Sequence, residues 1–355
     1  MKILYLDPSL PETTSGNRST STRITDHWKS LGHRVTSIHV RAACHQDNSE
    51  IQSLILEADL LVALHAEHCQ AVLQLWRNLR KPVPAIFIVG GTDLFQPFLE
   101  TGILSPEFTL ACEEANRIVT LAAGLEQYYP AALRKQWASK TRVIYQGATP
   151  VNLNAQAGDH QQAVVIGHLR PIKDPLLPIH ALEVLDERCA SDRSLLKGEG
   201  LTIRHFGKVL NPEYQAQVET AHSRLGNGRF RWQWNGSVTR AELHKIMASA
   251  PVLILPSLHE GGANVAGEFL VSGLPIIASR VAGNTGILGE DWPALFEAGN
   301  AGSLADLLIR WIQREEFRNQ VTLAARNLAP QHDLDREREE WGQLLRELEE
   351  SAEDH

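Results

Sequence analysis

The chain has 355 residues, too long for one small core, and a typical domain size of roughly 100–200 residues sets the expectation of two domains. With 43% hydrophobic and 21% charged residues it has a globular composition, and its formal net charge of -8 argues against a general binder of nucleic acid or anionic membrane, since those surfaces attract clustered Lys and Arg. No apolar run approaches the ~18 residues of a membrane span, and the apolar part of the opening MKILYLDPSLPETT is too short for a signal peptide.

The four cysteines, Cys44, Cys69, Cys112 and Cys189, show no CxxC or Cys/His clustering. That fits a reducing, cytoplasmic setting and small buried side chains, and gives no structural zinc signal.

In chain order, short apolar runs rich in branched residues alternate with longer amphipathic stretches, the pattern of repeated β-α units over parallel sheets. The first half offers the strands KILYL, RVTSIHV, LLVAL, PAIFIV, RIVTL and RVIYQ. The second half offers AVVIG, LTIRHFG, RFRWQW, VLILP and PIIAS. Polar, aperiodic GATPVNLNAQAGDHQQ separates the halves. The expected division is therefore a domain over residues 1–150, a linker over 151–162, a domain over 163–330 and a C-terminal helix with an acidic tail over 331–355. In that last segment Trp341, Leu344, Leu345 and Leu348 share one helix face, predicting a helix laid across a domain surface. Its acid pair DLD fits a helix start better than a metal site.

Parallel α/β sheets bind ligands beyond the carboxyl ends of their strands, and two such domains facing a cleft would place the binding loops there. The loop after the first strand lacks a GxGxxG fingerprint, which weighs against a dinucleotide enzyme. It still offers Gly16 and Asn17 at a helix start with Arg18 beside them, either an anion site or a glycine turn with a solvated arginine. After AVVIG, Arg170 and Lys173 lie three apart, spaced to converge on one polyanion, either as a phosphate clamp or as a solvated surface pair, with the clamp favoured by their place after a buried strand. After VLILP comes HEGGANVAGEFLVSG. There Gly261 and Gly262 allow close backbone approach, the amides from Gly262 through Ala263 to Asn264 open a helix towards a diphosphate, and Asn264 and Glu268 fall one turn apart. Glu260 and Glu268 are acceptors suited to the hydroxyls at two ends of one extended ligand. Gly283, Asn284, Thr285 and Gly286 read as a flexible loop that either embraces the donor or simply connects.

Glu260 and Glu268, with seven residues between them, resemble the Glu-seven-Glu motif of the retaining glycosyltransferases of family four, which share the GT-B fold of two Rossmann-like domains facing a cleft, with a C-terminal helix crossing back. That resemblance implies a sugar contact for Glu260, a ribose contact for Glu268, and diphosphate contacts for Arg170 and Lys173. Taken together, SGNRSTSTR, LLVALHAE, GGTDLF, GHLRPIKDP and EGGANVAGEFLVSGLPIIASRVAGNTGILGED resemble the selenosugar synthases (SenB) of selenoneine biosynthesis, which join a sugar from a UDP-sugar to selenium supplied as selenophosphate. GNTGILGED in place of the usual glycine-proline-glutamate loop is a departure from the wider family.

That resemblance implies a hexosyltransferase using a UDP-sugar of GlcNAc, Glc or GalNAc type, with a functional link to a selenophosphate-producing enzyme and no metal or other cofactor. The selenium of selenophosphate is already anionic near neutrality and needs orientation and charge complement more than a base. Asn17, Arg18, Thr20, Arg23, Thr92 and Asp93 are the expected acceptor side. His65, at the end of its strand, is either a proton-bearing donor or a strand cap, and Asp93 is either a ligand contact or a helix N-cap. The expected catalytic set is His65, Arg170, Lys173 and Glu260, with Gly16 and Thr285 added on the donor side. A family-four enzyme acting on a hydroxyl is the alternative. A nucleotide-sugar sensor would need a damaged acceptor side, and GNRST, LHAE and GTD are intact.

Overall fold

The structure, a computed structural model, describes residues 1–9, 15–41, 48–79, 83–91, 93–95, 103–153, 160–197, 199–225, 227–249 and 252–353. Thr92, Cys44 and residues 154–159 of the expected linker lie outside the described residues. The chain forms two compact units. One comprises Met1–Gly147, Gly261–Asn264 and Leu334–His355, the other Ala148–Glu260 and Val265–Asp333.

The first unit is a six-stranded parallel sheet built from β1 (Lys2–Asp7), β2 (Arg34–His39), β3 (Leu60–Leu64), β4 (Ala85–Ile88), β5 (Arg117–Thr120) and β6 (Thr141–Val143), in the order β2-β1-β3-β4-β5-β6. Among its helices are α1 (Gly16–Ser30), α2 (Asn48–Glu57), α3 (Ala66–Arg77), α4 (Pro106–Glu114) and α5 (Arg134–Ser139). Every residue of β3 and β4 is buried, as continuous apolar strands covered on both faces require. The strand order reverses between β1 and β3, so the loops after those two strands border the crevice in which such sheets bind ligands.

The second unit carries β7 (Gln162–Ile166), α6 (Leu177–Ser191), β8 (Leu201–Phe206), α7 (Glu213–Leu225), β9 (Phe230–Trp234), α8 (Arg240–Ser249) and β10 (Val252–Leu255). It continues with β11 (Ile276–Ser279), α10 (Ala282–Leu288), β12 (Leu295–Phe296), α11 (Ala301–Gln313) and α12 (Glu315–Leu328), while α9 (Asn264–Val271) lies between β10 and β11. The sheet order is β12-β11-β10-β7-β8-β9, all parallel, with the reversal between β7 and β10. That is the Rossmann order, whereas the first sheet has the flavodoxin-like order.

α13 (Leu334–Glu353) packs on α1 and completes the first unit's core. Trp341, Leu344, Leu345 and Leu348 cluster with Ile24, Trp28, Tyr5 and Val62, and the Trp28 and Trp341 rings meet edge to face at 5.3 Å. The apolar stripe read from sequence is therefore the face that α13 buries.

Two local expectations are corrected. The segment around Gly283–Gly286 is the helix α10, not a flexible loop. Buried Ile287 and Leu288 anchor it, and Asn284 Nδ2 donates back to the Ser279 carbonyl and hydroxyl at 3.0 Å each. β12, two residues at the sheet edge beside β11, was not expected, since two residues carry no periodicity.

Candidate functional site

In the second unit the loops after β7 and β10 are tied together. Leu258 N–H donates to the Ile172 carbonyl at 2.9 Å, in a short 3-10 turn, Pro171–Lys173, that Arg170 enters in an extended conformation. The tie brings Lys173 Nζ onto Glu260 Oε2, an oxygen that also accepts from Ser257 Oγ at 3.2 Å. Glu260 is only 8% exposed. Arg170 is mostly buried, and its Nε has no hydrogen-bond partner among the described residues. Burial lowers the Arg170 pKa while the nearby Glu260 charge raises it, and a guanidinium stays charged regardless. Two cations therefore face one carboxylate, leaving excess positive charge and an unused buried donor. An anion with several acceptor oxygens answers both.

The remaining donor-side expectations divide. Glu268 lies on α9 with a side chain 14% exposed, and Arg240 Nη2 approaches its Oε1 at 3.8 Å. Gly283 packs so closely on Glu260 that a Cβ there would fall 2.9 Å from Glu260 Cβ and nearer still to its carbonyl. Thr285 is buried with its hydroxyl against the Ala282 carbonyl of its own turn at 3.4 Å, so it is inward-facing rather than on a mobile loop.

Asn264 departs further from expectation. Residues Gly261, Gly262, Ala263 and Asn264 group with the first unit. Its Nδ2 donates to the Gly16 carbonyl at 3.2 Å and to Thr20 Oγ1 at 3.1 Å, while its Oδ1 accepts from Arg23 Nη1 at 3.0 Å. The side chain is thus committed to the protein. The segment runs close to neighbouring backbone: a Cβ at Gly261 would come within 2.7 Å of the Gly91 nitrogen, and Gly262 has a φ of +137°. Glycine is required there by both space and conformation.

At the first unit's strand-order reversal, Asp7 ends β1 almost fully buried. Its Oδ1 accepts from Ser9 N–H at 2.9 Å, Ser9 Oγ at 2.5 Å and Ser21 Oγ at 3.0 Å. Its Oδ2 pairs with Arg18 Nη1 at 3.2 Å and faces His39 Nδ1 at 3.4 Å. Arg18, about a third exposed, therefore has its charge partly matched by Asp7. Asn17 is half-buried and Gly16 exposed at the start of α1, whose N-cap is Ser15. Thr20 is buried, donating to Gln146 Oε1 at 2.6 Å and accepting from Asn264, so its hydroxyl is used in both directions. Arg23 is engaged on three sides, by Glu337, Asn264 and Gln146, and is not a free cation for a ligand.

His65 follows β3 at the start of α3, buried, with a positive φ of 68° that places it outside ordinary helical or strand geometry. Its ring stacks on His68 at 3.9 Å. Burial, then His68, then Arg41, lower its pKa to about 3. Asp93 accepts the Ala66 N–H at 3.1 Å, capping α3 rather than its own segment. Burial pushes its carboxyl well above the usual aspartate range, against the backbone donors of Gly90, Ala66 and Asp93 itself. His65 Nε2 approaches Asp93 Oδ1 at 3.6 Å.

Sequence reading passed over Asp7, Ser21, Gln146, Ser257 and Glu337. A signal existed for both Asp7, which directly follows the expected strand KILYL, and Gln146, the polar residue closing the expected strand RVIYQ. No group of three or more His, Cys, Asp or Glu able to hold a metal ion occurs among the described residues, and no described helix is long and apolar enough to cross a membrane.

Residues 154–328 match the family described as glycosyl transferases group 1. The chain is 23% identical over 365 residues to glycosyltransferase 1 domain-containing protein 1 of Xenopus tropicalis, covering 98% of each chain. Among solved structures it is similar to HepE of Anabaena in complex with UDP-glucose, with a TM-score of 0.70, 17% identity, and coverage of 98% of this chain and 100% of the other. It is also similar to sucrose-phosphate synthase of Thermosynechococcus elongatus, with a TM-score of 0.71, 15% identity and 99% of each chain covered. Residues 154–328 are accordingly similar to the group 1 glycosyltransferases, and the chain has a fold of two parallel-sheet α/β domains of the GT-B type.

Proposed function

We propose that the protein transfers a hexose of GlcNAc, Glc or GalNAc type from a UDP-sugar to the selenium of selenophosphate, as the loops resembling the selenosugar synthases imply. The observation that carries the donor half is the excess positive charge of Arg170 and Lys173 over Glu260, with Arg170 Nε buried and lacking a hydrogen-bond partner among the described residues. A diphosphate leaving group is a polyanion of that kind. HepE, similar in fold, has been solved with UDP and glucose and with UDP-glucose, which supports a UDP-sugar donor here.

In the proposed reaction a selenium lone pair attacks the anomeric carbon, and the bond from that carbon to the diphosphate oxygen breaks. UDP leaves with the electron pair onto Arg170, Lys173 and the amides of Gly262, Ala263 and Asn264. Water then cleaves the selenium–phosphorus bond, giving phosphate and the selenosugar. Glu260 and Glu268 would hold the sugar and ribose hydroxyls. Asn17, Arg18, Thr20, Thr92 and Asp93 would orient the acceptor, with Gly16 on the donor side.

His65 bears on the choice between this and a hydroxyl acceptor. A hydroxyl needs a base with a pKa near the working pH, and His65, at about 3, is a poor one, whereas selenophosphate needs none. His65 would then serve as a neutral hydrogen-bonding group. The test is to incubate the protein with UDP-sugars, with and without selenophosphate, and to follow UDP and selenium-containing sugar by mass spectrometry. Selenophosphate-dependent UDP release with a selenosugar product is expected. UDP release indifferent to selenophosphate would remove the acceptor assignment.

A further inference from the structure

Glu337 stands outside every motif described above, on the first turn of α13, and is 1% exposed. One of its oxygens, Oε2, accepts from Arg23 Nε at 2.6 Å and from the Gly147 N–H at 2.9 Å, and faces His27 Nε2 at 3.2 Å. Burial pushes its carboxyl pKa up, but Arg23, His27 and the Gly147 N–H outweigh that and hold it below the usual glutamate range, so it is a carboxylate. Arg23 continues the chain of contacts. Its Nη1 donates to Asn264 Oδ1 at 3.0 Å and its Nη2 to Gln146 Oε1 at 2.7 Å. Gln146 Nε2 in turn donates to the Gly262 carbonyl at 2.8 Å. All these groups belong to the first unit.

Of the three acceptors on Arg23, two are neutral amides, and Glu337 is the one that carries a countercharge. Without it the guanidinium, its side chain 14% exposed, would be a poorly compensated buried charge, drawn towards water and away from Asn264 and Gln146. Those two amides are what Arg23 contributes to Gly262 and Asn264, the residues whose backbone opens α9.

We propose that Glu337 is a positioning residue: it fixes Arg23, and through Arg23 and Gln146 it sets the place of the Gly262–Asn264 backbone that is to receive the donor diphosphate. The role rests on the donor reading given above. It makes the C-terminal helix a part of the donor machinery without any contact between that helix and substrate.

The test compares Glu337→Ala, Glu337→Gln and Asn264→Ala with the wild type, in the full chain, by hydrogen exchange of the 261–264 amides and by UDP binding in calorimetry. Glu337→Ala is expected to speed exchange in 261–264 by about tenfold while β3 and β4 stay protected, a local opening rather than a global loss. It is expected to weaken UDP binding by about tenfold, through lost preorganisation. Glu337→Gln, which keeps an acceptor for Arg23 and Gly147 and is the variant to use if the alanine chain does not fold, should show the same local change in smaller degree. Combining Glu337→Ala with Asn264→Ala should weaken UDP binding by less than the product of the two single effects, since both act in part through the Arg23–Asn264 contact. Unchanged exchange in 261–264, or faster exchange spread evenly over the first unit, overturns the proposal. If the wild type does not bind UDP, the donor reading fails, and the exchange result alone decides the role of Glu337.

Discussion

Gly283→Ala sets two rules of protein chemistry against each other at the donor site. By helix propensity the substitution in α10 should stabilise the fold, by about 1 kcal/mol. By space it should not. The new Cβ would lie 2.9 Å from Glu260 Cβ and nearer still to the Glu260 carbonyl, where ordinary carbon contacts need ~3.5–4.0 Å. The Glu260 Cβ has to retreat by roughly 0.6–1 Å, and its carbonyl carbon and oxygen by more. Glu260 is the residue onto which Lys173 and Ser257 converge, so the displacement passes directly into the candidate site. A misplacement of about 1 Å costs on the order of a hundredfold in rate, about 2.7 kcal/mol of transition-state stabilisation. The assay is kcat/KM for UDP release under saturating acceptor, with thermal unfolding measured on the same preparations. A hundredfold loss accompanied by a lower Tm is expected. A variant with wild-type kcat/KM and an equal or higher Tm would refute the steric argument and the placement of Glu260 in the site.

Three further outcomes follow from the site. Arg170→Ala should weaken UDP binding by about ten- to a hundredfold, the range for a lost hydrogen bond to a charged group. Because it removes a buried cation with an unsatisfied donor, Tm should hold or rise, and a marked fall in Tm would contradict that description. Arg18→Ala should leave UDP affinity unchanged in calorimetry and raise the acceptor KM by about tenfold, with little change in stability because the Asp7 pair is partly exposed. Lost UDP affinity in that variant would move Arg18 to the donor side. The His65 pKa is depressed in the folded state, so between about 3 and 6.5 the unfolded chain binds more protons and stability rises with pH across that window. Acid unfolding of His65→Gln should accordingly show a shallower pH dependence between those limits, and an unaltered slope would place the ring in a more solvated state.

The β-α pattern was legible because buried parallel strands such as LLVAL and PAIFIV are continuous apolar runs. The last strand of the first sheet was less so: RVIYQ gives only Thr141–Val143, and Ile144, though fully buried, pairs beyond the ladder through a single bond to Thr120. The convergence of Arg170, Lys173 and Glu260 could be anticipated because each follows a strand at the same edge of one sheet. α10 was misread because Gly283, Asn284 and Gly286 resemble a turn when their burial is not visible. Asn264 and Arg23 were misread for a related reason. Their types suit a ligand, but their partners, Gly16, Gln146 and Glu337, are up to 314 residues away, and no local pattern announces a distant buried acid.

The packing of Trp341 and Leu344 onto Trp28 and Ile24 also orders events in time. A ribosome that has released residue 147 has made the whole first sheet but not the helix that seals it. Roughly 200 further residues must be synthesised before Leu348 emerges, about 10–40 s at ordinary rates of 5–20 residues per second. Throughout that interval the apolar face formed by Tyr5, Ile24, Trp28 and Val62 lacks the helix that covers it, leaving hydrophobic surface open to non-native association.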